Sequence, residues 1–344
     1  MELLKELYKT FSPSSKEQMM RMFITSLVSN EEVYGKLVVT EDKGNIYITK
    51  GESPLYPTVV AHMDQVQSFE LTDVIESNGM LFGINSEKKT FAGLGADDKN
   101  GIWIALKVLM TEPILKIAFF KEEEIGCLGS NEANLDFFKD SCYILQPDRK
   151  GNSDIIFNAA GTILASTNFK DKVSKIGEKY KYTSNTGLMT DVKTLVDRNV
   201  GVSCCNISCG YYNPHSTTEY TVFEDLNNAY SFIKDIIHIL GYTKYEYTKP
   251  VPKYGTYKHS IIDWDTYDYG HGSSYKGQYE GKSLWFDQFN DLQDLMLEYP
   301  DFYTLDIKKV YDAYKTKFYM LEPRDYYLAY HDLFIYTSDD TESK

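Results

Sequence analysis

The chain has 344 residues, with 36 Lys and Arg against 50 Asp and Glu and a formal charge of −14. So acidic a surface repels nucleic-acid phosphates and anionic lipid, so neither nucleic acid nor membrane is an expected partner. Hydrophobic residues make up 42% of the sequence, enough for a sizeable core in one large domain or two ordinary ones.

No apolar run reaches the length of a membrane helix. The charged opening MELLKELYKTFSPSSKEQ lacks the apolar stretch of a secretory leader, so the cytoplasm is the expected location. Five scattered cysteines with no CxxC pair argue against a disulfide framework or a thiolate zinc site.

Residues 1–29 read as helix, interrupted at Ser12-Pro13-Ser14-Ser15. LVVTEDKGNIYITKG at 37–51 reads as a hairpin, two β-branched runs around Asp42-Lys43-Gly44. PTVVAHMD at 57–64 reads as a buried strand ending in polar residues. A helix is predicted from Asn100 to Met110 and a strand over 114–122, then strands at 142–148 and 154–159. A helix over 187–198, a strand over 200–208 and an amphipathic closing helix over 223–241 follow. Strands alternating with helices predict an α/β fold, a three-layer sandwich with a mostly parallel central sheet. No internal repeat is visible.

Beyond Gly241 the texture changes. Most of the 29 tyrosines lie after residue 243, in stretches such as DYGHGSSYKGQYEGK. This predicts a main domain over 1–244 and a Tyr- and Asp-rich C-terminal module over 245–344. That module could cover the site through His271, form an interaction surface, or simply pack against the main domain.

Three polar clusters fall at predicted strand ends or a helix start, where open α/β sheets place ligands. They are His62-Met63-Asp64, Gly95-Ala96-Asp97-Asp98-Lys99 and Glu122-Glu123-Glu124. Asp148 and His215 repeat the pattern later. Each has an ordinary alternative. His62 could be a core histidine, although Asp64 two residues on lies on the same side of a strand and can orient the ring. Asp97 and Asp98 could cap the following helix, but capping accounts for one aspartate, and Gly93 and Gly95 imply a close backbone approach. The three glutamates could form a solvated turn, yet three negative charges after an apolar strand call for a cation. Asp148 sits in a good turn sequence, and His215 in a polar loop. The weight comes from the set: two His and three acids, donors suited to zinc or a similar divalent ion.

Together, AHMD, GLGADDKNG, FFKEEEIG, a lone Asp after a strand and NPHSTTEY resemble the ordered signature of the co-catalytic zinc exopeptidases. Peptidase T-like enzymes and related aminopeptidases and deacylases carry this signature. The resemblance covers roughly residues 1–242, and ADDK and EEIG are specific only in combination. It implies two divalent ions, zinc first, with cobalt or manganese fitting the same donors. It implies His62, Asp97, Glu124, Asp148 and His215 as metal ligands, with Asp97 bridging and Glu124 and Asp148 on different ions. Asp64 would orient His62, and Glu123 would be the base that activates the attacking water. Glu122 receives no role. In one respect the chain departs from the pattern. The interval from Asp148 to His215 is too short for the lid or dimerisation insert of peptidase T-like enzymes, which resembles the compact aminopeptidases instead.

The function expected is therefore an aminopeptidase acting on short peptides. The alternatives are a deacylase of N-acyl amino acids with the same metals and base, and a non-catalytic binding protein that uses its Tyr-rich segment. A homo-oligomer is left open.

Overall fold

The computed structural model describes residues 1–67 and 71–249. Helices α1 (Glu2–Lys9), α2 (Gln18–Val28) and α3 (Glu31–Tyr34) lead into the hairpin β1 (Leu37–Asp42) and β2 (Asn45–Lys50), then β3 (Tyr56–His62). Short strands β4 (Asp73–Ser77), β5 (Met80–Asn85) and β6 (Thr90–Ala92) precede α4 (Ala96–Thr111) and β7 (Leu115–Phe120). Next come α5 (Leu128–Asn131), β8 (Ser141–Arg149), β9 (Asp154–Ala159), β10 (Thr162–Ile163) and α6 (Thr167–Lys179). Then follow β11 (Thr183–Gly187), α7 (Asp191–Asp197), β12 (Cys204–Ser208), β13 (Tyr211–Tyr212), β14 (Tyr220–Val222) and α8 (Phe223–Leu240).

The main sheet has the order β1-β2-β7-β3-β8-β12-β9-β10, with β11 beside β9. Its central strands β7, β3, β8 and β12 are parallel. Antiparallel pairs flank them: β1 with β2 and β2 with β7 on one side, β12 with β9 and β9 with β10 on the other. The period of two explains why these strands read as apolar runs. Val59, Ala61, Ile117 and Phe119 point into a large core shared with α1, α2, α4, α6 and α8. Val60, Ala118, Phe120 and Ile144 point the other way, into a smaller core with Val192, Leu195 and Val196 of α7. Two helical layers around one sheet result, the predicted sandwich.

A second, antiparallel sheet was not anticipated. It has the order β13-β14-β5-β4, with β6 beside β5. Its strands are short and only partly buried, so they carry little apolar patterning. It has a positional consequence. Pairing of β14 with β5 sets Tyr220 opposite Phe82 and Val222 opposite Met80. That draws the loop carrying His215 back to the segment between His62 and Asp97.

The predicted helix over 187–198 is shorter in the structure, because Thr183–Gly187 pairs with β9 as a strand before α7 starts at Asp191. The predicted strand over 200–208 is regular only from Cys204. Tyr245 is buried; its N–H donates to Cys142 O (2.8 Å) and its carbonyl accepts from Ser203 N–H (2.8 Å). The described chain thus stays attached to the main sheet past residue 244. The rest of the expected C-terminal module, with His271, lies outside the described residues. Among the described residues, no helix is long and apolar enough to cross a membrane.

Candidate metal centre

The parallel strands end on one side of the sheet, and the polar clusters gather there. His62 is the last residue of β3, and its register partner in β7 is Phe120, just ahead of the three glutamates. Asp148 lies near the end of β8, the other neighbour of β3. Asp97 stands at the start of α4, and His215 arrives on the loop between β13 and β14. His215 has φ 60°, left-handed backbone that a residue with a Cβ adopts at a cost and that gathers at functional sites.

The five expected ligands separate into two groups that meet at Asp97. His62 Nε2 lies 3.1 Å from Asp97 Oδ1 and 3.6 Å from Asp148 Oδ1. His215 Nε2 lies 3.3 Å from Asp97 Oδ2 and 3.1 Å from Glu124 Oε2. One carboxylate thus turns one oxygen to each histidine. Two donors about 2.1 Å from a shared tetrahedral zinc stand about 3.4 Å apart, and the observed separations straddle that spacing. His62, Asp97 and Glu124 are close enough to hold one ion between them, as are His62, Asp98 and Asp148. Glu124 Oε1 is buried with no hydrogen-bond partner, an uncompensated acceptor that a cation would satisfy. The donor set therefore fits divalent metal.

Asp97 and Asp98, joined by a cis peptide, divide the two roles that the sequence left open. Asp97 faces the histidines. Asp98 is the helix cap: its Oδ1 accepts from Gly101 N–H (3.0 Å), and both residues have non-helical torsions ahead of the regular helix. Asp98 Oδ2 also accepts from the His62 main-chain N–H at 3.3 Å. The nearby glycines approach protein rather than ligand. A Cβ on Gly93 would meet Ser216 O at 2.5 Å and the Gln67 side chain at 2.6 Å.

Asp64 connects the first cluster to the third. Its main-chain oxygen lies 3.1 Å, and its Oδ1 3.3 Å, from His62 Nδ1, so Nδ1–H donates there and Nε2 is the ring nitrogen turned to Asp97 and Asp148. Its two carboxylate oxygens accept from the Glu123 N–H (2.8 Å) and the Glu124 N–H (3.2 Å), and Oδ2 also from Ser14 Oγ (2.7 Å). Glu123 accepts a weak hydrogen bond from Cys127 Sγ at 3.4 Å. Glu122 points elsewhere, pairing with Lys121 Nζ at 2.8 Å and accepting from Ser15 Oγ at 2.5 Å.

The electrostatics are those of a buried acidic cluster gathered around two histidines. Burial pushes the Glu123 and Glu124 carboxyls above the ordinary range. Burial also raises Asp98 and Asp148, with the charges of Asp148 and Asp97 respectively adding to it. Asp97 goes the other way. Burial would raise it, but hydrogen bonds from His215 and His62 hold it low. Burial would lower both histidines, yet the carboxylates around them push them up: Asp148, Asp64 and Asp97 act on His62, and Glu124 and Asp97 on His215.

Two further buried acids belong to the site and were missed. Glu219 is 1% exposed and accepts from the main-chain N–H of Gly95 (2.6 Å) and Asp97 (3.2 Å) and from Gln67 Nε2 (2.9 Å). It ties the His215 loop to the Asp97 loop, and burial pushes it up to about 7. Asp191, fully buried at the start of α7, is also raised by burial to about 7, and its Oδ1 has no hydrogen-bond partner. The one sequence hint was an acid directly after Thr190 at a helix start; burial itself leaves no local mark.

No protein-family model matches the sequence, and no curated protein matches it either. Solved structures do. A tripeptidase from Staphylococcus aureus matches with a TM-score of 0.55 at 16% identity, over 70% of this chain and 97% of that one. The aminopeptidase PepT from Bacillus cereus matches with a TM-score of 0.55 at 15% identity, over 69% of this chain and 96% of that one. The TET1 peptidase of Pyrococcus horikoshii matches with a TM-score of 0.51 at 17% identity, over 68% and 97%. The chain shares the fold of these proteins.

Proposed function

We propose that this chain is a metal-dependent hydrolase that removes N-terminal residues from short peptides, using two divalent ions held by His62, Asp97, Glu124, Asp148 and His215. One observation carries the reading: Asp97 presents one oxygen to His62 and the other to His215, each histidine with a further carboxylate at 3.1–3.6 Å. The fold supports it, since a tripeptidase and aminopeptidases share it. Two imidazoles with three carboxylates favour zinc, and cobalt or manganese suits the same donors.

Bound there, such ions would supply Lewis acidity, acidifying a water and polarising the scissile carbonyl. The chain's own residues do the rest. Glu123 takes a proton from the attacking water and delivers it to the leaving nitrogen. Burial favours the protonated form of Glu123, which suits the delivery, and a cation bound nearby would favour the ionised form needed for the uptake. Asp64 aims His62 and pins the backbone of Glu123 and Glu124, so acid, base and ligands keep one geometry. A TET1 peptidase of this fold assembles into a tetrahedron or a larger octahedral shell, so a homo-oligomer is the corresponding expectation, checked by light scattering.

The test is a panel of dipeptides, tripeptides and their N-acetyl forms, assayed before and after chelation. The proposal expects cleavage of free-amine peptides, loss on chelation, and recovery with zinc, cobalt or manganese. Cleavage confined to N-acyl amino acids would make the protein a deacylase. No cleavage of any substrate by metal-loaded protein would contradict the hydrolase reading.

A further inference from the structure

Gln146 is a polar residue in a strand whose residues from Ser141 to Asp148 are all buried. It precedes Asp148 by two positions, so both side chains project to the same face of β8. A buried amide must satisfy both of its ends, and here each end has a defined partner. Gln146 Oε1 accepts from Thr190 Oγ1 at 2.5 Å and from Val192 N–H at 3.0 Å. Two donors on the oxygen settle which way the amide faces. Nε2 is therefore the end turned to the carboxylates, donating to Asp148 Oδ2 at 2.7 Å and lying 3.5 Å from Asp191 Oδ2.

The Asp148 backbone is held just as closely. Its N–H donates to Asn206 Oδ1 (3.2 Å), and Asn206 Nδ2 donates to Asp148 O (2.8 Å) and to Thr190 Oγ1 (3.1 Å). Asn206 sits where the pairing of β12 with β8 shifts register. Thr190, directly ahead of α7, thus contacts both residues that hold Asp148.

With Oδ2 engaged by Gln146, the other oxygen, Oδ1, is the one 3.6 Å from His62 Nε2. We infer that Gln146, aimed by Thr190, is a positioning residue that occupies one oxygen of Asp148 and leaves the other for the ion shared with His62. This rests on the proposed metal reading. It adds a specific consequence: the network serves the His62 half of the site and does not touch His215 or Glu124. A role in folding alone would loosen both halves or neither.

The experiment is calorimetric titration of metal-free protein with zinc, for the wild type, Gln146→Met and Thr190→Val, with the thermal midpoint of each metal-free protein measured alongside. Gln146→Met keeps most of the volume and removes both polar ends. The expected result is one of two zinc ions weakened about 10- to 100-fold in Gln146→Met, the range for partners that orient a ligand, with the second ion unchanged. Thr190→Val should weaken the same ion by less. If Gln146→Met fails to fold without metal, Thr190→Val alone decides. Wild-type affinity for both ions in a folded variant, or equal weakening of both, overturns the inference while leaving the proposed function standing. A wild type that binds no zinc, cobalt or manganese sinks both.

Discussion

The two halves of the proposed metal centre are built differently. The His62 half stands on the ends of adjacent parallel strands, β3 and β8, and hydrogen bonds with Asp64, Gln146 and Asn206 hold both His62 and Asp148. The His215 half stands on loops. Glu124 follows β7 and is anchored through its N–H to Asp64, while His215 has left-handed backbone and reaches the site through the small second sheet and Glu219. Strand ends are placed by the sheet ladder itself, whereas loop residues need dedicated clamps. Asp97 is the residue whose carboxylate contacts both histidines.

That contrast sets the order of expected effects. Asp97→Ala should be the most damaging change, since it removes a ligand from both halves at once. Metal content should fall below one ion per chain and turnover to the chelated background, read by atomic emission and peptide assay. Retention of two ions would show that the halves do not share this carboxylate. Next comes Glu123→Gln, which keeps the shape and removes the proton acceptor. Turnover should drop roughly 10²- to 10⁴-fold while both ions remain. Near-normal rates would remove Glu123 from the mechanism.

His215→Ala separates the halves directly. It should cost the ion on the Glu124 side and leave binding between His62 and Asp148, with a zinc stoichiometry near one. Loss of both ions would mean that the strand-end half is not self-sufficient.

The smallest effect concerns pH. Without metal, His62 and His215 are raised above their ordinary value of 6.5, so the stability they add is complete below it and lost as pH rises through the raised values. Asp191 and Glu219, raised to about 7 from 3.8 and 4.5, have the same sign and lose their contribution between those limits. Glu123, Glu124, Asp98 and Asp148 are raised too and act alike. Asp64 and Asp97 are lowered; their contribution is present above 3.8 and lost only in stronger acid. Metal bound to this cluster would replace protons on it. The zinc-induced rise in thermal midpoint should therefore be larger at about pH 8 than at about pH 5.5, and equal shifts would contradict a proton-competing site.

The same contrast explains what the sequence made legible. Strands β3, β7 and β8 are buried on both faces and read as apolar runs, so their ends, and with them His62, could be located. Strand β11, TSNTG, is exposed and polar and has no period to read. Helix α6, absent from the predicted elements, does carry a signal, with Phe169, Val173 and Ile176 buried at helical spacing behind the cap Ser166. At the site, residue type and order point to the five ligand candidates, but only the folded arrangement assigns Asp97 to the histidines and Asp98 to the helix cap. Glu219, Asp191 and Gln146 escaped because their importance lies in burial and in partners distant in sequence. For Gln146 a hint existed: a lone amide inside an apolar strand.

The central claim is that two ions share Asp97. The most direct test is a crystal structure of the zinc-loaded protein with anomalous diffraction at the zinc edge. The account predicts two peaks, one between His62 and Asp148 and one between His215 and Glu124, with one Asp97 oxygen turned to each. A single peak, or two peaks without Asp97 between them, would contradict it.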